Sequence, residues 1–128
     1  LQDLARPEVV WLGRRSRAEL DDLYRRCRVY VNASNHEGSC NALLEAVSRG
    51  CPVVVSDIPA NRDLQLGEAL YFDPLDPASI AAALRRALAE PRRHVVDRDR
   101  FLSWPEVARR TLAVYEAVMD GPGGPRFG

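Results

Sequence analysis

Short apolar runs alternate along the chain with stretches in which apolar residues recur at helical spacing. Val9-Val10-Trp11-Leu12 reads as a short buried strand that Gly13 ends. Ser16 then predicts a helix cap, with Glu19 completing a capping box, and Leu20, Leu23, Tyr24 and Cys27 form the apolar stripe of that helix. Val29-Tyr30-Val31 predicts a second strand, and residues 52–55 a third. Residues 60–65 predict a short helix and Ala69-Leu70-Tyr71-Phe72 a fourth strand. Asp76 caps a further predicted helix with Pro77 at its first position, running to about Ala89 with Ile80, Ala83, Leu84, Ala87 and Leu88 inward. Glu90 to Arg100 is charged and weakly patterned. Ser103, with Glu106 three residues on, caps the last helix, whose apolar contacts are Val107, Leu112, Tyr115 and Val118. Residues 1–8 form a polar lead-in, and 121–128 a tail whose composition predicts disorder. Strands and helices in alternation, with crossovers long enough for parallel pairing, predict a doubly wound parallel α/β sheet of the Rossmann-like kind.

The stretch HEGSCNALLEAVSRGCPVVVSD, residues 36–57, sits at the centre of this pattern. Gly38 and Ser39 precede the apolar periodicity, Asn41 lies early in the helix, and Ala42, Leu43, Ala46 and Val47 mark its inner face. Gly50 stops the helix, and Pro52 opens Val53-Val54-Val55, apolar on both faces as a strand covered by helices on each side should be. A loop entering a helix leaves backbone N–H groups unpaired, and with the helix dipole these make an anion site. Glu37 stays in the loop, while Glu45 falls about one turn into the helix. An anion-binding edge with a carboxylate to either side suits a phosphorylated, hydroxyl-rich ligand such as a nucleotide sugar. In an open α/β sheet ligands sit at the carboxyl ends of the strands, which puts residues 13–16, 34–41 and 57–61 on one rim.

Composition changes little. At 128 residues the chain is one domain or part of one, and folding buries roughly two-thirds of the unfolded surface. Eighteen basic residues, all arginine, balance eighteen acidic ones, so no global field recruits nucleic acid or an anionic membrane. Cys27, Cys40 and Cys51 lack metal-ligand spacing, which fits a reducing cytoplasm; no metal is expected. No apolar run reaches membrane-spanning length, which leaves peripheral attachment at a membrane open. His36 lies four residues before Cys40, but a thiol nucleophile needs a third orienting group that the sequence does not offer. Cys27 and Cys51 read as small apolar fillers, and Trp11 and Trp104 as packing residues.

From about residue 8 to 118 the chain resembles the C-terminal, donor-binding domain of retaining family 4 glycosyltransferases of the GT-B fold. The segments VVWLG, VYVNAS, EGSCNALLE with its E-x7-E spacing, EAVSRGCPVVVSD and ALYFDPLDP occur in the order of that family. SWPEVARRTLAVYEAV resembles the long helix that reaches back towards the N-terminal domain. The resemblance implies sugar transfer from a nucleotide-diphosphate sugar. It makes Glu37 the catalytic candidate beside the donor sugar, and has the backbone of Gly38, Ser39, Cys40 and Asn41 hold the sugar and distal phosphate. It sets Glu45 on the ribose hydroxyls and Gly13 and Arg14 beside the nucleobase. SDIPANRDL faintly resembles mannosyl-transferring members.

Two departures stand out. Ser39, Cys40 and Asn41 occupy positions where many members have a second glycine and an apolar residue. The family's first two strands, with an arginine–lysine pair that grips the diphosphate, are absent, and the chain has no lysine. The expectation is a domain over 1–120 that lacks those strands and its N-terminal acceptor-binding partner domain. Such a chain should bind donor weakly and turn over nothing alone. The gap would be closed by pairing 9–12 with 29–31, or by strand exchange with a second copy. The residues also admit a non-catalytic nucleotide or phosphosugar-binding module, or a flavodoxin-like interaction domain.

Overall fold

The computed structural model describes residues 8–120. Apart from Glu8, the expected lead-in lies outside these residues, as does the tail over 121–128. The chain divides into two compact units, one up to Asp97 and one from Arg98.

The first unit is built on a three-stranded parallel sheet: β1 (Tyr30–Asn32), β2 (Val53–Ser56) and β3 (Tyr71–Phe72), in the order β1-β2-β3. Tyr30 stands opposite Val53, Asn32 opposite Val55, and Ser56 opposite Phe72. Side chains alternate across a strand, so the central strand β2 must be covered twice, and all four of its residues are buried. On one face Val54 and Phe72 pack with Ala83 and Ala87 of α4 (Pro77–Ala89), joined by Val29, Ile80 and Leu84. The opposite face, with Val53 and Val55, is covered by α2 (Asn41–Ser48), whose Leu43, Ala46 and Val47 are buried. Helices on both faces of a parallel sheet make this the Rossmann-like α/β architecture expected.

Local chemistry sets the element ends. In α1 (Arg17–Arg26) the Ser16 hydroxyl accepts the Glu19 amide, and the Glu19 carboxylate accepts the Ser16 amide at 2.8 Å, the capping box the sequence announces. In α4 the Asp76 carboxylate accepts the Ala78 amide at 2.8 Å, with Pro77 first in the helix. α2 ends in a Schellman turn. The Cys51 amide reaches the Ala46 carbonyl, the Gly50 amide reaches Val47, and Gly50 takes φ +72°.

Several expectations fail. Residues 9–12 form no strand, and Val9, Val10, Trp11 and Leu12 are exposed. Four apolar residues become a strand only beside a partner, and among the described residues β1 pairs with β2 alone, so the direct 9–12 to 29–31 pairing is also absent. The expected fourth strand shortens to β3, because residues 68–70 coil into a 3₁₀ turn first. The helix expected over 60–65 is α3 (Pro59–Arg62), and Leu88 of α4 faces solvent. The stripe of α1 contains no fully buried residue.

In the second unit, α5 (Trp104–Asp120) begins as expected, with the Ser103 hydroxyl accepting the Glu106 amide at 3.4 Å. Leu112, Tyr115 and Val118 are exposed rather than packed.

Candidate functional site

Parallel pairing of β1 and β2 brings the segments that follow them side by side, residues 33–40 after β1 and 57–58 before α3. The first of these carries Glu37 to Cys40. Gly38 and Ser39 are exposed, and the amides of Gly38, Ser39 and Cys40 make no hydrogen bond to the chain among the described residues. Asn41 differs: its amide donates to the Ser39 carbonyl at 3.2 Å and is already committed. The first turn of α2 contains no acidic residue, and Cys40 at its N-cap makes no side-chain capping bond. Both facts leave the positive end of the helix open to an anion.

Glu37 is half-buried, and one of its carboxylate oxygens accepts the Ser34 hydroxyl at 2.7 Å. That bond orients the carboxylate and leaves acceptor sites for further hydroxyls. Glu45 is the fifth residue of α2, about 6 Å along the axis from its first at 1.5 Å per residue. It faces α1 and pairs with Arg17 at 3.3 Å. The Arg17 side chain is 83% exposed, so this pair contributes about 0–1 kcal/mol and a ligand hydroxyl can replace it.

Glu45 lines a cleft of about 230 Å³ with Arg15, Arg17, Leu20, Asp21, Tyr24 and Arg49. This is smaller than the roughly 300–1,000 Å³ of sites that enclose a whole ligand, but enough for one ring system of a longer one. Three guanidinium groups face two carboxylates there, and the balance favours an anionic or acceptor-rich ligand. Asp21 accepts Arg49 at 2.5 Å and Arg25 at 2.8 Å. The Arg49 hydrogen bond is the main reason its carboxyl is held below the usual range. This clamp ties α1 to the C-cap of α2 and fixes one wall. Burial, then the Glu45 charge, raises the Tyr24 hydroxyl, which stays protonated as a donor.

The turn residues 37–41 and Glu45 thus belong to one loop–helix element. Gly13, with φ +64°, and Arg14 lie just before the cleft-lining Arg15 and Arg17. Sequence reading missed Arg15, Arg17, Asp21 and Arg49, whose signal was the run of i,i+4 charge pairs on α1, such as Arg25 with Asp21. It also missed the polar contacts beneath the turn. Asn32 donates to the Cys40 thiol at 3.0 Å, and Asn61 donates to Asn32 at 3.2 Å.

Among the described residues no group of three or more His, Cys, Asp and Glu side chains is placed to hold a metal ion, and no helix is long and apolar enough to cross a membrane.

The chain is similar to several glycosyltransferases. A GDP-mannose-dependent alpha-mannosyltransferase of Mycobacterium tuberculosis is 32% identical over 124 residues, which cover 89% of this chain and 32% of that protein. The serotype-specific mannosyltransferase WbdA of Escherichia coli is 32% identical over 97 residues, covering 76% of this chain and 12% of that protein. A glycogen synthase of Mycobacterium tuberculosis is 33% identical over 130 residues, covering 91% of this chain and 30% of its own length. The chain therefore spans about a third or less of these relatives. Residues 1–90, which include the open turn, both glutamates and the whole sheet, match the family described as glycosyl transferases group 1. The chain belongs to that family.

Proposed function

We propose that this chain is the donor-binding part of a retaining GT-B glycosyltransferase of family 4 that moves a sugar from a nucleotide-diphosphate sugar to an acceptor. The observation that supports the reading is the turn over 38–40, whose amides make no hydrogen bond to the chain among the described residues at the start of α2, with Glu37 before it and Glu45 after it along the chain. Amides of Gly38, Ser39 and Cys40 donate to the diphosphate and sugar, with Asn41 contributing the helix start behind them. Backbone donors fixed in advance stabilise the departing diphosphate without reorganising. Glu37, oriented by Ser34, accepts from the donor sugar and is the catalytic residue in this reading. Glu45 exchanges Arg17 for the ribose hydroxyls, and the loop from Gly13 and Arg14 into Arg15 borders the base.

Mannose is the donor sugar favoured, on the similarity to mannosyltransferases and the mannosyl-like SDIPANRDL segment. In the whole enzyme residues 1–120 supply the donor half, and a separate domain binds the acceptor. The outer edge of β1, unpaired among the described residues, is where further strands or a second copy add. Three free cysteines fit a cytoplasmic enzyme, attached peripherally to a membrane or not at all.

The test is calorimetric titration of the chain with GDP-mannose, GDP and UDP-sugars. Saturable, weak binding is expected, with no sugar transfer by the chain alone. Glu45→Ala should weaken binding about 10-fold or more, the loss of hydrogen bonds to a charged group. Nucleotide binding that Glu45→Ala leaves unchanged would remove Glu45 from the ribose site, and no binding at all would remove the donor reading.

A further inference from the structure

The donor turn is closed from below by polar side chains that no part of the proposed chemistry uses. Asn32 is the last residue of β1, and Cys40 the N-cap of α2, so the two stand at opposite ends of the turn. The Asn32 side-chain amide donates to the Cys40 thiol at 3.0 Å, bridging eight residues of chain. On its other side Asn32 accepts from the Asn61 side-chain amide at 3.2 Å, and Asn61 also donates to the Ser56 carbonyl at 2.9 Å. The Ser56 hydroxyl returns to the Asn32 carbonyl at 2.9 Å. Both rim segments, after β1 and after β2, are therefore laced to one buried set: Asn32, Asn61 and Ser56 at 6, 0 and 0% exposure, with Cys40 at 7%.

This arrangement is costly as a stabilising device. The Asn61 side-chain oxygen is buried without a donor among the described residues, a desolvation penalty that an apolar residue would avoid. The N-cap residue is also unusual. Serine, threonine, asparagine or aspartate at this position would accept an amide of the first helical turn. Cysteine is a weak acceptor, and here its thiol is engaged by Asn32 and caps nothing. The brace therefore holds the turn in place without consuming the amides that the turn presents.

We propose that Asn32 and Asn61 are positioning residues that, through the Cys40 thiol, hold the amides of residues 38–40 in register for the diphosphate. This rests on the donor-binding reading above, and it deepens that reading by assigning the phosphate-specific share of affinity to a buried side-chain network. In that reading the base borders the loop from Gly13 into Arg15 and the ribose meets Glu45, so neither contact passes through the brace.

The experiment compares nucleoside diphosphate with monophosphate. GDP, UDP and ADP, each beside its monophosphate, are titrated into the unaltered chain and into Asn32→Ala, Asn61→Ala and Cys40→Ala, with thermal melts recorded alongside. In the unaltered chain the diphosphate should bind more tightly than the monophosphate. Each variant should lose about tenfold in diphosphate affinity, the worth of one or two hydrogen bonds to a charged group, with monophosphate affinity unchanged. The Asn32→Ala/Asn61→Ala double variant should lose no more than either single one, because both act through one contact. Cys40→Ala removes a single sulfur atom and keeps the comparison available if an asparagine variant fails to fold. A folded Cys40→Ala chain that keeps the full diphosphate preference overturns the positioning role. Equal losses for both nucleotides make the network merely structural and overturn it too. An unaltered chain with no diphosphate preference overturns the donor reading itself, and the brace with it.

Discussion

Cys51 shows how burial sets chemistry at a single residue. It is 2% exposed, and burial pushes its thiol up to about 12, with the Cys27 contact adding to the shift. Its ordinary value is 9.0, so between about pH 9 and 12 the unfolded chain gives up this proton while the folded one keeps it. By linkage, stability falls as pH rises through that window and is fully present below it. At pH 8 native Cys51 should resist iodoacetamide, with labelling appearing only in denaturant, as read by peptide mass spectrometry; rapid labelling of the native chain would contradict this burial. Glu45 is a different case, a half-buried carboxylate in the cleft whose spacing from Glu37 was legible while its partner Arg17 was not. Capping signals read well at this scale because they are local: Ser16, Glu19, Asp76 and Ser103 act on amides two or three residues away. Asn32 and Asn61 are 29 residues apart, and nothing in their neighbours along the chain announces the bond between them.

Among the elements, α2 is the one whose ends both matter. Its start presents the amides of residues 38–40, which make no hydrogen bond to the chain among the described residues, and its end delivers the chain through Gly50 and Cys51 to Pro52, whose carbonyl accepts the Tyr30 amide at 2.7 Å and so sets the β1–β2 register. Gly50 has open space where a Cβ would stand, so only its left-handed backbone opposes substitution. Gly50→Ala should cost about 1–2 kcal/mol, read as a lowered urea midpoint with an unchanged slope; an unaffected midpoint would mean the turn has another way to close. Helical periodicity predicted α1, α2 and α4, and a continuous apolar run predicted β2, to within a residue or two. The failures share a cause. Residues 9–12 have strand-like composition but no neighbouring strand, and residues 69–70 lost strand character to the 3₁₀ turn at Glu68–Leu70. A strand is a property of a pair, so one run of sequence cannot guarantee it.

For the whole molecule, the order β1-β2-β3 puts the most apolar strand in the middle, and the fold class was legible because β2 reads as apolar on both faces. The shape of the cleft was not legible, since Arg15 before α1, Asp21 within it and Arg49 at the C-cap of α2 meet there. Family membership rests on the match over residues 1–90.

The middle position of β2 also governs how the chain opens. Its partners lie on both sides in sequence, β1 some twenty residues earlier and β3 about as far later, so neither can detach β2 by fraying from a terminus. In native-state hydrogen–deuterium exchange the amides of Val54 and Val55 should be the slowest, exchanging only through global unfolding, while those of residues 38–40 exchange within seconds. Slow exchange across 38–40 would mean that those hydrogens are already spent. Ligand-dependent protection confined to that turn would mark hydrogens held in place yet open to solvent, above a bedrock that yields only when the whole fold does.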